Sequence, residues 1–349
     1  MKVLIVKVSA LGDVVHALPV LSYLKSADAE MQIDWLVEQS FAPFLEDHPL
    51  IDNLYRIDTR AWRKSGPLAS VRGVFKTVKA IRKVKYDCVL DLQGNAKSGL
   101  FTLTSGAPLR FGFDQNATRE KLNLLSTNRK VNLGALNFHV TDRSLAIAKM
   151  AFPEGRELRK AGPLPVNEEA SLQVERILVE QDLADARVVV LHYGTTWLTK
   201  HWPLVSWQGL AKRLVEELGL RPILTWGDEK ELVAVKSIRQ QCVDRAFLWP
   251  RGSLKELTAL LAKAELVVGG DTGPIHIAAA VGTPTISIFR VTDPSRNAPR
   301  GEGHSYLTAE MDCTPCLRKE CDRDLECGLS IPVDTVFSRI VSQLQKDKK

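Results

Sequence analysis

The chain has no apolar run near the ~18 residues that a membrane-spanning helix requires, so a bundle embedded in lipid is excluded. At its start only Lys2 precedes the apolar stretch VLIV, which is too short for the apolar part of a secretory signal, and a cytoplasmic protein is expected. Aromatic residues are few, 7% of the chain, and no RNA- or DNA-binding signature accompanies its basic runs. Nucleic acid is therefore not an expected partner. Also missing is the Gly-x-Gly-x-x-Gly turn of a dinucleotide cradle. The first apolar run feeds KVSALGDVVHALPVL (7–21) instead, where one glycine, Gly12, is followed by an acid, Asp13. A phosphate cradle would not carry a negative charge there. Outside one short region cysteine is scarce. Cys88 lies in the strand-like YDCVLDLQG and Cys242 in a helical pattern, and both are expected to fill core rather than bind ligands.

What is present fits a two-domain α/β protein. The 349 residues suffice for two domains of ordinary size. Apolar runs at 2–8, 32–37, 53–58, 88–92 and 109–113 alternate with helical patterns such as 15–25 and 70–84. AGPLPVNEEA (161–170) breaks the rhythm with glycine, two prolines and a polar run. A helix at 169–180 follows, and the alternation restarts with apolar runs at 187–194, 221–227, 246–250, 265–270 and 284–289. Buried strands alternating with helices predict parallel sheets covered on both faces. The expected organisation is a Rossmann-like domain at 1–160, a linker and connecting helix at 161–185, a second Rossmann-like domain at 186–335, and a closing helix with a basic tail at 336–349. The two domains are expected to face each other across a cleft. Net charge is only +6, but RAWRK (60–64), KTVKAIRKVK (76–85) and NRK (128–130) all fall in the first half. That half suits an anionic partner such as a phosphorylated sugar or lipid.

In an open α/β sheet, ligands gather at the carboxyl ends of strands. VVGGDTGPIHIAAAVGTP (267–284) ends an apolar run and passes through Asp271, Thr272, Gly273 and Pro274 into an apolar helix. Proline fits a first helical turn, and the free N–H groups there favour a diphosphate. Gly273 would admit close approach, while Asp271 and His276 could contact ribose or phosphate. A capped helix, with Asp271 or Thr272 as N-cap and His276 in the core, fits the same residues. LHYGTTWLTKHWP (191–203) supplies Thr195, Thr196 and Lys200 at another strand end, and WGDEKE (226–231) places Glu231 at the next, suited to the two hydroxyls of a ribose. Three strand ends with matching chemistry point to a nucleotide site in the second half. Asp13 suits a different task, proton abstraction from a hydroxyl, although the local sequence favours a cap for the helix at 15–25.

In this order, KVSALGDVVHALPVL, IDWLVE, RAWRK, DLQGNAKS, TTWLTKHWP and GDTGPIHIAAAVGTPTISIF resemble the ADP-heptose:lipopolysaccharide heptosyltransferases, family 9 glycosyltransferases of the GT-B fold. The likeness covers residues 1 to about 300. IDWLVE, RAWRK and DQNATRE look more like heptosyltransferase I, which adds the first heptose to Kdo. The resemblance implies inverting transfer of heptose from ADP-L-glycero-D-manno-heptose to Kdo2-lipid A of the lipopolysaccharide inner core. It implies a cytoplasmic enzyme, peripheral to the inner membrane of a Gram-negative bacterium, whose chemistry requires no cofactor. Asp13 would be the general base. Thr195, Thr196 and Lys200 would bind the ADP phosphates, with Lys200 offsetting leaving-group charge. Glu231, Asp271, Thr272, Gly273 and His276 would hold ribose and diphosphate. Arg60, Arg63, Lys64, Arg119, His139 and Arg143 would face the carboxylates and phosphates of the acceptor. Closure around the 161–170 linker would bring Asp13 to the donor sugar and exclude water.

Two features depart from this pattern. Trp197 and Leu198 stand beside the nucleotide loop where polar residues are expected. DCTPCLRKECDRDLECG (312–328) crowds Cys313, Cys316, Cys321 and Cys327 together. Four such thiolates could hold structural zinc or iron, though the spacing is not that of paired Cys-x2-Cys zinc sites, and reduced structural cysteines are the default. A branch of the family that modifies autotransporters binds iron through cysteines. Two other functions fit the same residues: a heptosyltransferase II- or III-like enzyme with a heptosylated or other acceptor, and a non-catalytic nucleotide-sugar-binding protein. Asp13 separates the last, because a binding module needs no carboxylate in its acceptor loop.

Overall fold

A computed structural model of the chain describes residues 1–134, 139–158, 161–243 and 245–346; the boundary expected at residue 160 and the tail at 347–349 lie outside the described residues. Contacts divide the chain into two units, Met1–Pro165 and Val166–Lys349. In the first, β1 (Lys2–Val6), β2 (Gln32–Glu38), β3 (Asn53–Ile57), β4 (Cys88–Asp91), β5 (Leu109–Phe113) and β6 (Arg129–Val131) form a parallel sheet in the order β3-β2-β1-β4-β5-β6. Its helices are α1 (Leu11–Val15), α2 (Pro19–Ala27), α3 (Thr59–Lys64), α4 (Pro67–Val84), α5 (Ala96–Thr104) and α6 (Val140–Ala151). In the second unit, α7 (Glu168–Glu180) precedes β7 (Val189–His192), β8 (Ile223–Thr225), β9 (Phe247–Leu248), β10 (Leu266–Gly270), β11 (Thr285–Phe289) and β12 (His304–Thr308). Their parallel order is β12-β11-β10-β7-β8-β9. The remaining helices are α8 (Leu204–Leu218), α9 (Glu229–Gln241), α10 (Leu254–Lys263), α11 (Gly273–Ala280), α12 (Pro294–Asn297), α13 (Asp324–Leu329) and α14 (Val333–Lys346).

Counted from its own first strand, each sheet has the same doubly wound order. The chain begins in the middle, winds outward over three strands, then returns to the other side of the first. The order therefore reverses between β1 and β4, and again between β7 and β10. Loops leaving neighbouring strands diverge at such a point, and the gap between them accepts ligands.

Burial explains the strands. β4, β7, β10 and β11 are buried along their whole length, and β1 is buried beyond Lys2. Each buried Val, Ile or Leu contributes roughly 1.5–3 kcal/mol relative to exposure. Leu4, Val6, Val89 and Phe101 form one core with Ile81 of α4, while Leu191, Trp202, Trp207 and Val268 form another with Val336 and Ile340 of α14. Helix starts follow from caps: Asn95 and Ser98 make a capping box on α5, as Ser253 and Glu256 do on α10.

Two expectations are corrected. The helix expected at 15–25 is two helices, α1 and α2. Pro19 has no N–H to continue the ladder and instead opens α2 in its first turn. Each unit also has an edge strand that the apolar pattern missed, β6 and β12, whose sequences RKV and HSYLT are short and polar.

Candidate functional site

In the second unit, the ends of β7, β8 and β10 bring most of the expected donor residues together. Asp271, just after β10, is 4% exposed. Its Oδ2 accepts from Lys200 Nζ at 2.6 Å and Thr292 Oγ1 at 2.8 Å, and its Oδ1 accepts from Asn297 Nδ2 at 2.6 Å. His276 Nε2 of α11 lies 3.5 Å from Oδ1. Burial alone would raise the Asp271 pKa, but the His276 bond and the Lys200 charge hold it well below the carboxylate range. The oxygens of Asp271 are thus engaged by side chains. Thr272 stands at the N-cap position of α11 without a side-chain capping bond, followed by Gly273 and Pro274 in the first turn. The ordinary cap therefore does not account for these residues.

Glu231, in the first turn of α9, spans two strand ends. It accepts from the backbone N–H of Thr195 at 3.1 Å and of Gly227 at 2.6 Å, while Asp228 caps the helix beneath it. Burial pushes its carboxyl up. Each oxygen retains a lone pair for a hydroxyl. A Cβ on Gly194 would collide with this carboxylate, so the glycine is what lets Glu231 reach the β7 loop. Thr195 Oγ1 is buried with no hydrogen-bond partner among the described residues, whereas Thr196 is exposed. A cavity of about 510 Å³ adjoins the loop, lined in part by Tyr193, Leu198, His201, Trp202, Glu231 and Arg290.

The first unit presents different chemistry at the equivalent point. Asp13 lies in the first turn of α1, directly after β1. It is not the cap: that position belongs to Ala10, which has no side-chain acceptor. The Asp13 carboxylate makes no hydrogen bond or ion pair among the described residues. Lys7 lies beside it, 8% exposed, donating to the Leu92 carbonyl at 3.0 Å. Burial pushes the Lys7 ammonium down, Asp13 and Asp91 pull it up, and Arg119 and Arg143 add to the lowering. Those charges therefore converge on the end of β1.

The other acceptor candidates are more dispersed. Arg143 donates to the Ala117 carbonyl at 2.6 Å and stacks over Phe113, while Arg119 is exposed. His139 is buried; it caps α6 through Nδ1 and packs edge-on against His16. Arg60, Arg63 and Lys64 ride on α3 at the end of β3, two strands from β1 in the sheet order.

Several supporting residues escaped the sequence reading. Lys7 is one; a lysine inside the apolar KVLIVKV was its only signal. Gln93 bridges the two loops of the first crevice, its Oε1 accepting from Val8 N and Ser9 N at 3.1 Å each. Asp91, fully buried, accepts from Gln93 N, Gly94 N, Ser98, Thr102 and Asn123, and burial still raises its carboxyl. Arg290, 3% exposed, donates to the His201 carbonyl and to Asp324, tying the Lys200 loop to α13. Trp197 is accounted for by two cations, Lys200 and Lys319, about 5 Å from its ring (5.0 and 5.2 Å).

The metal site considered for Cys313, Cys316, Cys321 and Cys327 is not assembled. Among the described residues no three His, Cys, Asp or Glu side chains are placed to hold a metal ion. Cys327 turns into the core on α13, where burial pushes its thiol up, and the other three are half-exposed free thiols. Cys88 and Cys242 are buried, with thiols pushed up to about 12 and about 11.

The model of glycosyltransferase family 9 (heptosyltransferase) matches residues 74–325. Lipopolysaccharide heptosyltransferase 1 of Pseudomonas aeruginosa is 34% identical over 323 residues, covering 92% of this chain and 87% of that protein. Its counterpart in Salmonella typhimurium is 34% identical over 297 residues, covering 84% and 90%. Among solved structures, Escherichia coli heptosyltransferase WaaC with ADP-2-deoxy-2-fluoro heptose superposes with a TM-score of 0.77 at 26% identity, covering 98% of this chain and 99% of that one. Two parallel sheets of the same winding, a match over most of the length and a family model spanning both units lead to one conclusion: the chain belongs to glycosyltransferase family 9, the heptosyltransferases.

Proposed function

We propose that the chain transfers L-glycero-D-manno-heptose, with inversion, from ADP-heptose to Kdo of Kdo2-lipid A in the lipopolysaccharide inner core. The observation that carries this reading is the contrast between the two crevices. One offers a lysine held by a buried aspartate beside a threonine hydroxyl with no partner among the described residues; the other offers a carboxylate that is not the helix cap and has no hydrogen bond or ion pair among the described residues. In the donor crevice, Glu231 takes the ribose hydroxyls, and Thr195, Thr196 and the start of α11 at Thr272 and Gly273 take the diphosphate. Asp271 and His276 hold Lys200 in place, and Lys200 offsets the charge that grows on departing ADP. In the acceptor crevice, Asp13 accepts the proton of the attacking Kdo hydroxyl as its oxygen bonds to the anomeric carbon and the bond to ADP breaks. Arg119, Arg143 and Lys7 balance the acceptor's negative charge there, and Arg60, Arg63 and Lys64 extend that field along α3. His139 supports the site by fixing α6.

The acceptor is anchored by its acyl chains, so the enzyme works at the cytoplasmic surface of the inner membrane. No described helix is long and apolar enough to cross a membrane.

The test is ADP release from ADP-heptose, with and without Kdo2-lipid A, for the natural chain and Asp13→Asn. Release should depend on the acceptor and fall by ~10²–10⁴-fold in the variant, the range for a lost general base. Release that needs neither acceptor nor Asp13 would refute the assignment.

A further inference from the structure

We propose that the outward face of α4, with the adjoining end of α3, is a docking surface for an anionic lipid leaflet. This rests on the lipid-anchored acceptor proposed above and names the element that meets its membrane. From Thr59 to Tyr86 the chain carries nine Lys or Arg and no Asp or Glu. None of the nine makes an ion pair among the described residues. A solvated helix face ordinarily mixes both signs.

α4 has two distinct faces. Val74, Val78 and Ile81 pack into the core beside β1 and β4, and Thr77 is buried with them. Leu68, Val71 and Phe75 are 81%, 67% and 68% exposed. Their spacing places them along one line of the helix. Arg72, Lys76 and Lys79 are exposed beside that line, and Arg82 and Lys83 continue the charge to the helix end. Single exposed apolar residues need no explanation. Three in register, flanked by unopposed cations, form the amphipathic pattern that lies in a membrane interface.

Charge selects the occupant. A folded partner protein fixes register through paired charges of both signs, and this face offers one sign along its whole length. An anionic leaflet is laterally fluid and needs only the field. Gly73 connects docking to the site: a Cβ there would collide with Trp62, so glycine lets α3 pack against α4. Docking α4 then sets Arg60, Arg63 and Lys64 against the same surface.

The full chain is sedimented with phosphatidylcholine vesicles, with and without phosphatidylglycerol, in the absence of sugar nucleotide and acceptor. Two variants are compared, R72E/K76E/K79E and L68S/V71S/F75S, each checked for unchanged circular dichroism. Binding should require the anionic lipid and weaken on the order of tenfold or more in each variant. Equal binding by all three proteins would overturn the proposal. So would self-association of the natural chain that the apolar variant abolishes while vesicles bind neither, which would give the face to a second copy. Transfer to an acyl-free acceptor is measured in parallel and should be unchanged in both variants. That assay alone reads the proposed reaction, so failure of one inference is distinct from failure of the other.

Discussion

Asp271 shows how much one side chain can depend on its surroundings. In the sequence it is an acid before a helix, and a cap is its ordinary use. In the structure it is buried among Lys200, Thr292, Asn297 and His276. Its folded pKa lies below the ~3.9 of an unfolded aspartate. The stabilisation it gives is therefore complete above that value and lost as pH falls through the folded value. Asp271→Asn is expected to cost about 3 kcal/mol, the scale of breaking a buried pair from one side. The cost should be constant between about pH 5 and 8 and shrink only below about pH 4. Urea unfolding of both proteins across that range measures it. A gap that changed between about pH 6 and 8 would place control of the network on a histidine instead.

At the scale of elements, legibility followed burial. The fully buried strands read as uninterrupted apolar runs, and β1, β4, β7, β10 and β11 were found that way. Edge strands β6 and β12 were not, because RKV and HSYLT are short and polar, whereas the edges β3 and β9 carry enough apolar residues to be read. The turn after β7 was legible as a polar loop, but its shape was not. Gly194 there has ordinary dihedrals; what it provides is space for Glu231. Gly194→Ala would collide with the end of a flexible side chain, which can swing away, so melting temperature should change little. The displaced carboxylate would lose the Thr195 N–H and its alignment with a ribose. The KM for ADP-heptose should then rise on the order of tenfold while kcat holds, the signature of lost uniform binding. A fall in kcat with KM unchanged would remove Glu231 from the ribose site.

At the scale of the molecule, the residues proposed for the donor all belong to the second unit, so the nucleotide should stabilise that unit. ADP at about 100 times its Kd adds ~2.7 kcal/mol, or about 5–10 °C for a domain of this size. Scanning calorimetry should show that shift in the natural chain and its near loss in Lys200→Met. An undiminished shift in the variant would take Lys200 out of the phosphate site. The sequence by itself determined two α/β halves, the basic bias of the first, and the candidate donor residues at three strand ends of the second. These are local: apolar period, turn chemistry and order along the chain carry them. Tertiary structure alone decided that Asp13 is not the cap of its helix, that Lys7 is buried within reach of its charge, and that Asp271 holds Lys200. It also left the four clustered cysteines apart, with no three metal-ligating side chains placed together among the described residues. Lys200 and Asp271 meet from 71 residues apart, and the others turn on which way a side chain points; strand pairing and burial set both.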